Sequence, residues 1–219
     1  WGSAYNLAQW DVTDKLVKGR NTIAVKVMTR SHGWLFDTND CWALAGIFRS
    51  VELFTVPNDY IEDVVFRVDD IVDGKDANVF VEVDVGSFEK EKSVAKRAYC
   101  SLVDEEGVHV LDFERPLVDG RMEAKGIVEN AHLWSAEKPY LYTLVVTLVD
   151  AYGKKVERIA EMQGLRIVRL VDKHLEINGE RVFLNGVAWN EIDPVLGRAI
   201  SEPERRRQMA LMKKAGVNC

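Results

Sequence analysis

The chain has 219 residues, of which 47% are hydrophobic and 29% are charged, and its formal net charge at pH 7 is −6. This balance is typical of a globular protein with one or two packed domains. The negative charge excludes the basic surface that binds nucleic acid or anionic membranes, and no apolar run approaches the roughly 20 residues of a membrane-spanning helix. We therefore expect neither nucleic acid nor a membrane as a partner.

Cysteine and histidine are too scattered to predict a disulfide framework or a zinc site. The three cysteines, Cys41, Cys100 and Cys219, leave at least one thiol unpaired, and no C-x-x-C motif occurs. The four histidines lack the spacing of metal ligands. No signal peptide is visible. Because the sequence starts at Trp1, inside a strand-like segment, the localisation is unknown.

Residues 1–57 have the pattern of the end of a β-sandwich. Residues 22–29 alternate apolar and polar side chains as a half-buried strand does, and residues 47–56 form a second strand-like run. Together with a strand that ends near residue 16, this predicts three strands. Three strands cannot close a sandwich, so we expect this part to have an incomplete core.

Residues 58–169 are the most self-contained part of the sequence. Short runs rich in Val, Phe, Tyr and Ile alternate with turn signals such as Asp73-Gly74 and Asp119-Gly120. This spacing predicts an immunoglobulin-like sandwich of seven strands. The predicted strands are 60–68, 77–85, 97–103, 108–113, 122–128, 141–150 and 156–169.

The last fifty residues predict a hairpin followed by a helix. Residues 174–177 and 181–184 flank Asn178-Gly179, which favours a type I′ turn because both central positions need a positive φ. Residues 201–204 form a capping box with a proline in the first turn, and Gly216 ends the helix after an apolar face.

Two motifs resemble one enzyme family. Residues 39–49 contain Asp-x-Trp-x-x-x-Gly-Ile-Phe-Arg, which resembles the signature that closes the sugar-binding sandwich of family 2 glycoside hydrolases, the β-galactosidase, β-mannosidase and β-glucuronidase group. Residues 184–191, LNGVAWNE, resemble the start of the (β/α)8 barrel of that family, with residues 184–187 as its first strand. Both motifs occur in the family's order.

The resemblance implies a mainly β chain in three parts. These are the C-terminal part of a sugar-binding jelly-roll sandwich (1–57), an immunoglobulin-like β-sandwich (58–169) and the first βα unit of a truncated TIM barrel (170–219). It places the catalytic carboxylates after Cys219. We therefore expect a β-galactosidase-like parent enzyme that hydrolyses terminal β-O-glycosidic bonds in carbohydrate metabolism, and no catalytic residue in this piece.

The resemblance also implies substrate-binding residues. The aspartate that matches Asp40 contacts sugar hydroxyls in the relatives and, in some of them, helps to hold a sodium ion. An ionised carboxylate makes strong hydrogen bonds to hydroxyl groups; the alternative is that Asp40 only caps the Trp42 turn. We expect no cofactor in this piece, and sodium or magnesium in the intact enzyme, with Asp40 as a ligand.

Three residues after the predicted barrel strand complete the candidate set. Asn190 falls where β-galactosidases carry a sugar-binding histidine, which puts specificity for galactose in question, although an amide can still bind a hydroxyl. Trp189 is either a stacking platform or a wall of the barrel mouth. Glu191 follows the first strand rather than a late one, so we assign it to the substrate side and not to catalysis.

Two further features favour structural interpretations. Trp134 could stack on a sugar, but we interpret it as packing the edge of the sandwich. Arg205-Arg206-Arg207 is interpreted as a solvated helix face.

Two other functions stay open at this stage: a stand-alone carbohydrate-binding module and a structural immunoglobulin-like spacer. An exposed sandwich edge or the uncovered helix favours a homo-oligomer, and a carbohydrate is the expected substrate.

Overall fold

The computed structural model describes residues 8–28, 46–47 and 50–219. The chain divides into two compact units, Trp1–Leu53 with Asn185–Cys219, and Phe54–Leu184. In the described part, the second unit is built from β-strands and the first contains the α-helix. The elements are β1 (Asp59–Val72), β2 (Asp76–Ser87), β3 (Arg97–Val103), β4 (His109–Pro116), β5 (Arg121–Val128), β6 (Tyr142–Val149), β7 (Lys155–Gln163), β8 (Val168–Val171), β9 (His174–Ile177), β10 (Glu180–Val182), α1 (Glu202–Lys214) and 3₁₀ turns at Thr13–Lys15 and Lys90–Lys92.

Seven strands form a sandwich of two antiparallel sheets, with the orders β1-β2-β5 and β4-β3-β6-β7. All seven predicted strands are confirmed. The last prediction was too long, because residues 156–169 contain both β7 and the start of β8. The chain leaves the sheet at Gly164, and Leu165 turns into the core, where it is fully buried. Because Leu165 is apolar, residues 156–169 have the sequence pattern of one continuous strand, although Leu165 belongs to the core and not to the strand.

The core lies between the two sheets and follows the two-residue period of the strands. On the inward face of β2, Val79, Val81 and Val83 are almost completely buried. Phe80 points to the opposite face yet is only 6% exposed, because the Arg67 guanidinium lies 3.7 Å from its ring centroid. The core comprises Ala77, Val79, Val81, Val83, Ala98, Cys100, Leu102, Phe113, Met122, Ala124, Val128, Tyr142, Leu144, Val146, Leu148 and Leu165.

Burial also decides the chemistry of one thiol in this core. Cys100 is 1% exposed, and burial raises its pKa to about 12. A protonated, enclosed thiol is unreactive. Cys100 is therefore a small apolar packing residue.

Asp59 is a buried carboxylate at the start of β1. It is 0% exposed, and its Oδ2 accepts hydrogen bonds from the backbone N–H groups of Val94 (2.6 Å) and Ala95 (2.7 Å). Burial alone would raise the pKa of Asp59, but these backbone donors and the Ser87 and Ser93 hydroxyls outweigh it and lower the pKa. Asp59 thus ties the segment before β3 to the first strand.

Tyr142 anchors the segment that crosses between the sheets before β6. The side chain is 2% exposed, and its hydroxyl oxygen accepts a hydrogen bond from the His132 N–H at 2.9 Å. Tyr140 packs edge-on against it, with the ring centroids 5.0 Å apart. The Tyr140 hydroxyl oxygen accepts a longer hydrogen bond, 3.3 Å, from the N–H of Glu105.

A small antiparallel sheet, in the order β10-β9-β8, follows the sandwich. The predicted hairpin is confirmed, with φ of 54° at Asn178 and 83° at Gly179. The Asn178 side chain accepts a hydrogen bond from the Ile167 N–H and donates one to the Trp134 carbonyl oxygen, both at 2.9 Å. The Asn178 amide therefore joins the turn to the sandwich.

The strands predicted before Pro57 do not form in the described residues of that segment. Residues 8–28 contain only the 3₁₀ turn Thr13–Lys15, and residues 50–57 lack regular structure. Large apolar side chains stay exposed, as Trp10 (74%) and Ile23 (60%) illustrate. An alternating pattern gives a strand only when a neighbouring strand pairs with it, and no such pairing occurs in the described residues.

Candidate functional site

The predicted first barrel strand is only partly formed. No strand is assigned to residues 183–190, but the backbone of residues 185–187 is hydrogen-bonded to the chain end. The Asn218 N–H donates to the Asn185 carbonyl oxygen, and the Val187 N–H donates to the Cys219 carbonyl oxygen, both at 3.1 Å. The two segments run in the same direction with α1 between them, as in a βαβ unit. Two hydrogen bonds are too few for a strand ladder.

A tight turn follows the candidate residues. The backbone groups of Asp193 and Gly197 pair at 2.8 and 2.9 Å, and the Asp193 carboxylate accepts from the N–H groups of Val195 and Leu196, both at 2.8 Å. Gly197 has a φ of 62°, which glycine adopts readily. This turn lies in the loop that connects residues 185–187 to α1.

Trp189 is held by a chain of hydrogen bonds from α1. Its indole Nε1–H donates to Gln208 Oε1 at 3.0 Å, and Gln208 Nε2–H donates to Glu204 Oε1 at 2.9 Å. Arg207 binds the same carboxylate with two hydrogen bonds, at 2.6 and 2.7 Å. Trp189 is half-buried, so its N–H bond fixes the side of the ring that faces the helix.

The network predicts an acid limit for this contact. Hydrogen bonds from Arg207 and Gln208 lower the pKa of Glu204 from 4.5 to about 2. A carboxylate whose pKa is lowered on folding stabilises the fold fully above the unfolded pKa, and that contribution is lost as the pH falls toward the folded pKa. The Trp189 indole N–H resonance reports the folded chain, so we expect it to stay constant down to about pH 3 and to shift with a midpoint near pH 2, where Glu204 itself takes up a proton.

An NMR titration of the Glu204 carboxyl resonance measures this pKa directly. Arg207→Leu removes the largest cause of the shift and should raise the midpoint toward the ordinary value of a glutamate. A midpoint near 4.5 in the unsubstituted chain would contradict the network.

Glu191 is engaged with a different residue of the same helix. Its Oε2 lies 3.1 Å from Arg205 Nη2, and each side chain is 37% exposed. The interpretation of the arginine triplet as a solvated face is confirmed for Arg206 and Arg207, which pair with Glu202 and Glu204 along the helix. It is wrong for Arg205, which reaches the loop instead. Sequence spacing within the helix carries no information about that partner.

The predicted capping box is wrong in its side-chain contacts. Ser201 is the N-cap residue and Pro203 lies in the first turn, but Ser201 makes no side-chain capping bond. Glu204, expected to reach back to the N-cap, binds Arg207 and Gln208 instead. The Arg207 guanidinium is the stronger donor for an ionised carboxylate. Gly216 ends the helix as predicted, with a φ of 84°.

The site predictions have different outcomes. Asp40 lies outside the described residues, so its proposed contacts with sugar and with a metal ion stay predictions. Asn190 is exposed between Trp189 and Glu191 on the loop. In the described part of the chain, no group of three or more His, Cys, Asp or Glu residues could hold a metal ion, and no helix is long and apolar enough to cross a membrane.

Trp134 has the packing role that the sequence indicated. The Arg166 guanidinium lies 4.3 Å from the indole ring centroid, and a Cβ atom at Gly164 would lie 2.9 Å from Trp134 Cδ1. The Trp134 N–H donates to the Leu165 carbonyl oxygen at 2.9 Å. A sugar could not occupy the ring face that Arg166 covers.

The arrangement around residues 189–191 can bind hydroxyl groups. Hydrogen bonds from Arg207 and Gln208 lower the pKa of Glu204 to about 2, so Glu204 is ionised near neutral pH, and the Glu191 carboxyl group lies against the Arg205 guanidinium. Arg205 and Gln208 were not predicted as members of the site from the sequence. Their spacing of three residues, which puts them on one helix face, is the signal that could have identified them as a pair.

Models of three glycoside hydrolase domains match consecutive parts of the chain. The sugar binding domain of glycosyl hydrolases family 2 matches residues 2–57, the domain described as glycosyl hydrolases family 2 matches residues 59–166, and the family 2 TIM barrel domain matches residues 168–219.

Two curated β-galactosidases match almost the whole chain. The protein of Halalkalibacterium halodurans is 30% identical over 217 residues, which are 98% of this chain and 21% of the relative. That of Alteromonas mediterranea is 33% identical over 230 residues, covering 96% of this chain and 21% of the relative. The chain thus spans about a fifth of the length of these relatives.

Solved structures share the fold. A β-glucuronidase of Bifidobacterium dentium, complexed with coumarin-3-O-glucuronide, has a TM-score of 0.64 at 20% identity and covers 72% of this chain and 26% of its own. A β-glucuronidase of Ruminococcus gnavus, in complex with D-glucuronic acid, has a TM-score of 0.61 at 24% identity and covers 74% of this chain and 26% of its own.

Proposed function

Since the chain belongs to glycoside hydrolase family 2, we propose that it is a non-catalytic part of an enzyme that hydrolyses terminal β-O-glycosidic bonds with retention. The observation that carries the proposal is the succession of three family 2 domains, in order, from residue 2 to residue 219. We propose domain limits of 1–57, 58–169 and 170–219.

The contacts of the local carboxyl groups support a non-catalytic role for this part. A retaining glycosidase needs two carboxyl groups about 5–5.5 Å apart, one of which is protonated before reaction. The Glu204 carboxylate is bound by Arg207 and Gln208, with its pKa lowered to about 2, and Glu191 pairs with Arg205. The ionised Glu204 cannot serve as the general acid.

We propose that this chain forms part of the substrate side of the active site. Asn190 lies exposed on the loop after the first barrel segment, and its amide can both donate to and accept from a sugar hydroxyl. Asp40 is proposed as a second contact and as a ligand for sodium or magnesium. The described residues alone contain no group of three or more His, Cys, Asp or Glu residues that could hold such an ion.

We infer a β-galactoside as the substrate class, because the relatives at 30% and 33% identity are β-galactosidases. Asn190 stands where the resemblance places a histidine, so the contact to the sugar would differ from theirs. An amide lacks the positive charge that an imidazole can carry. We therefore expect this contact to be a neutral hydrogen bond.

Hydrolysis of nitrophenyl β-glycosides tests the proposal. We expect no turnover by the 219-residue chain and turnover by a protein extended through the barrel, with the β-galactoside as the preferred substrate. Asn190→Ala in the extended protein should raise KM about tenfold, because it removes a substrate hydrogen bond.

Turnover by the 219-residue chain would contradict the non-catalytic role. Sugar binding by the chain, with no turnover by either protein, would indicate a carbohydrate-binding module instead.

A further inference from the structure

One face of α1 holds two residues of the candidate loop at the same time. Gln208 accepts the Trp189 indole N–H at 3.0 Å, and Arg205 lies 3.1 Å from the Glu191 carboxylate. Arg205 and Gln208 are three positions apart, so they are neighbours on the helix surface. Trp189 and Glu191 directly flank Asn190 in the sequence.

Both flanking side chains use their polar groups for these contacts. An indole has one hydrogen-bond donor and no acceptor, and the donor of Trp189 is bound to Gln208. The Glu191 carboxylate is held toward Arg205 by a charge-assisted contact of 3.1 Å at its Oε2 atom. Trp189 and Glu191 are therefore better suited to hold the loop than to bind a sugar by hydrogen bonds.

The contacts with Trp189 and Glu204 fix the orientation of the Gln208 amide. Trp189 can only donate, so Gln208 must present its oxygen to the indole and its NH2 group to Glu204. Two hydrogen bonds from Arg207 hold the Glu204 carboxylate in place. Reversal of the amide would place the NH2 group against an N–H donor and the oxygen against a carboxylate, which would break both contacts.

We propose that Arg205 and Gln208 are positioning residues that hold the backbone on both sides of Asn190 and so set the direction in which its amide meets the substrate. The inference rests on the proposed function. It assigns Glu191 to loop positioning through Arg205, and Trp189 to loop positioning through Gln208. Asn190, whose amide is proposed to bind a sugar hydroxyl, lies directly between these two held residues.

Steady-state kinetics of the enzyme extended through the barrel test the inference. We expect Arg205→Leu and Gln208→Leu each to raise KM for the preferred nitrophenyl glycoside about 2- to 10-fold, because a displaced Asn190 amide loses at most the contact that Asn190→Ala removes. The value of kcat should stay within about twofold, as expected for lost uniform binding. Arg205→Lys keeps the charge and should restore most of the affinity.

The neighbouring arginine provides a matched control. Arg206 pairs with Glu202 of the same helix, and its side chain is 76% exposed. Arg206→Leu makes the same chemical change without touching the loop and should leave KM unchanged. In the 219-residue chain, Gln208→Leu should accelerate exchange of the Trp189 indole N–H roughly 2- to 10-fold, as expected for a lost hydrogen bond.

The outcomes separate the inference from the proposed function. If the extended protein hydrolyses none of the glycosides, the proposed function fails and the inference fails with it. If it is active, but Arg205→Leu and Gln208→Leu behave like Arg206→Leu, only the inference is overturned. A fall in kcat at constant KM overturns it as well. If Arg205→Leu does not fold, Gln208→Leu decides the result.

Discussion

Asp59→Ala is expected to lower the free energy of unfolding of the sandwich by about 2–6 kcal/mol, because each buried donor left without a partner costs about 1–3 kcal/mol. The substitution removes the acceptor of the Val94 and Ala95 N–H groups, which lie 2.6 and 2.7 Å from Oδ2. The carboxylate is 0% exposed in the folded chain, so solvent does not share these hydrogen bonds with it. Urea unfolding at pH 7, followed by circular dichroism, measures the change.

Asp63 on the same strand provides the control. It is exposed, and its carboxylate accepts a hydrogen bond only from the N–H of the next residue, Val64. Asp63→Ala should change the free energy of unfolding by less than about 0.5 kcal/mol, as surface substitutions usually do. Equal effects of the two substitutions would mean that the buried contacts of Asp59 do not stabilise the sandwich.

The second large effect is expected at Tyr142. Tyr142→Ala should cost about 3–5 kcal/mol, as for other large buried aromatic side chains. Tyr142→Phe keeps the ring and removes only the acceptor of the His132 N–H, so it should cost about 1–3 kcal/mol. The same unfolding assay separates the contribution of the ring from that of the hydroxyl group.

Tyr140→Phe is the matched comparison. The Tyr140 hydroxyl accepts a 3.3 Å bond from the exposed N–H of Glu105, which water can replace. We expect a loss below about 0.5 kcal/mol. If Tyr140→Phe destabilised the chain more than Tyr142→Phe, the anchoring role of Tyr142 would be refuted.

The seven strands of the sandwich could be predicted because their signal is local. Alternation along β2 and β6 and the Asp-Gly turns between strands are properties of neighbouring residues. The end of β7 before Gly164 could not be predicted, because Leu165 is apolar like the residues of a strand although its side chain packs into the core. The buried Asp59 was missed too, since its donors lie about 35 residues further along the chain.

The same limit explains the residues before Pro57. Residues 22–28 have the alternation of a strand, but pairing is a contact between distant segments and no local pattern supplies it. At the candidate site, the sequence identified the loop residues Trp189, Asn190 and Glu191 through a resemblance. It gave no indication of their partners, because the contacts of Gln208 and Arg205 depend on how α1 packs beside the loop.

The side-chain amide of Asn178 restrains the small sheet relative to the sandwich within the second unit. A two-residue turn at the end of a short sheet would ordinarily be free to rock about the preceding chain. Here any tilt must stretch the bonds to Ile167 and Trp134 at the same moment. The small sheet is therefore restrained against the end of the sandwich, and a displacement of β9 would be transmitted to the sandwich through these two hydrogen bonds.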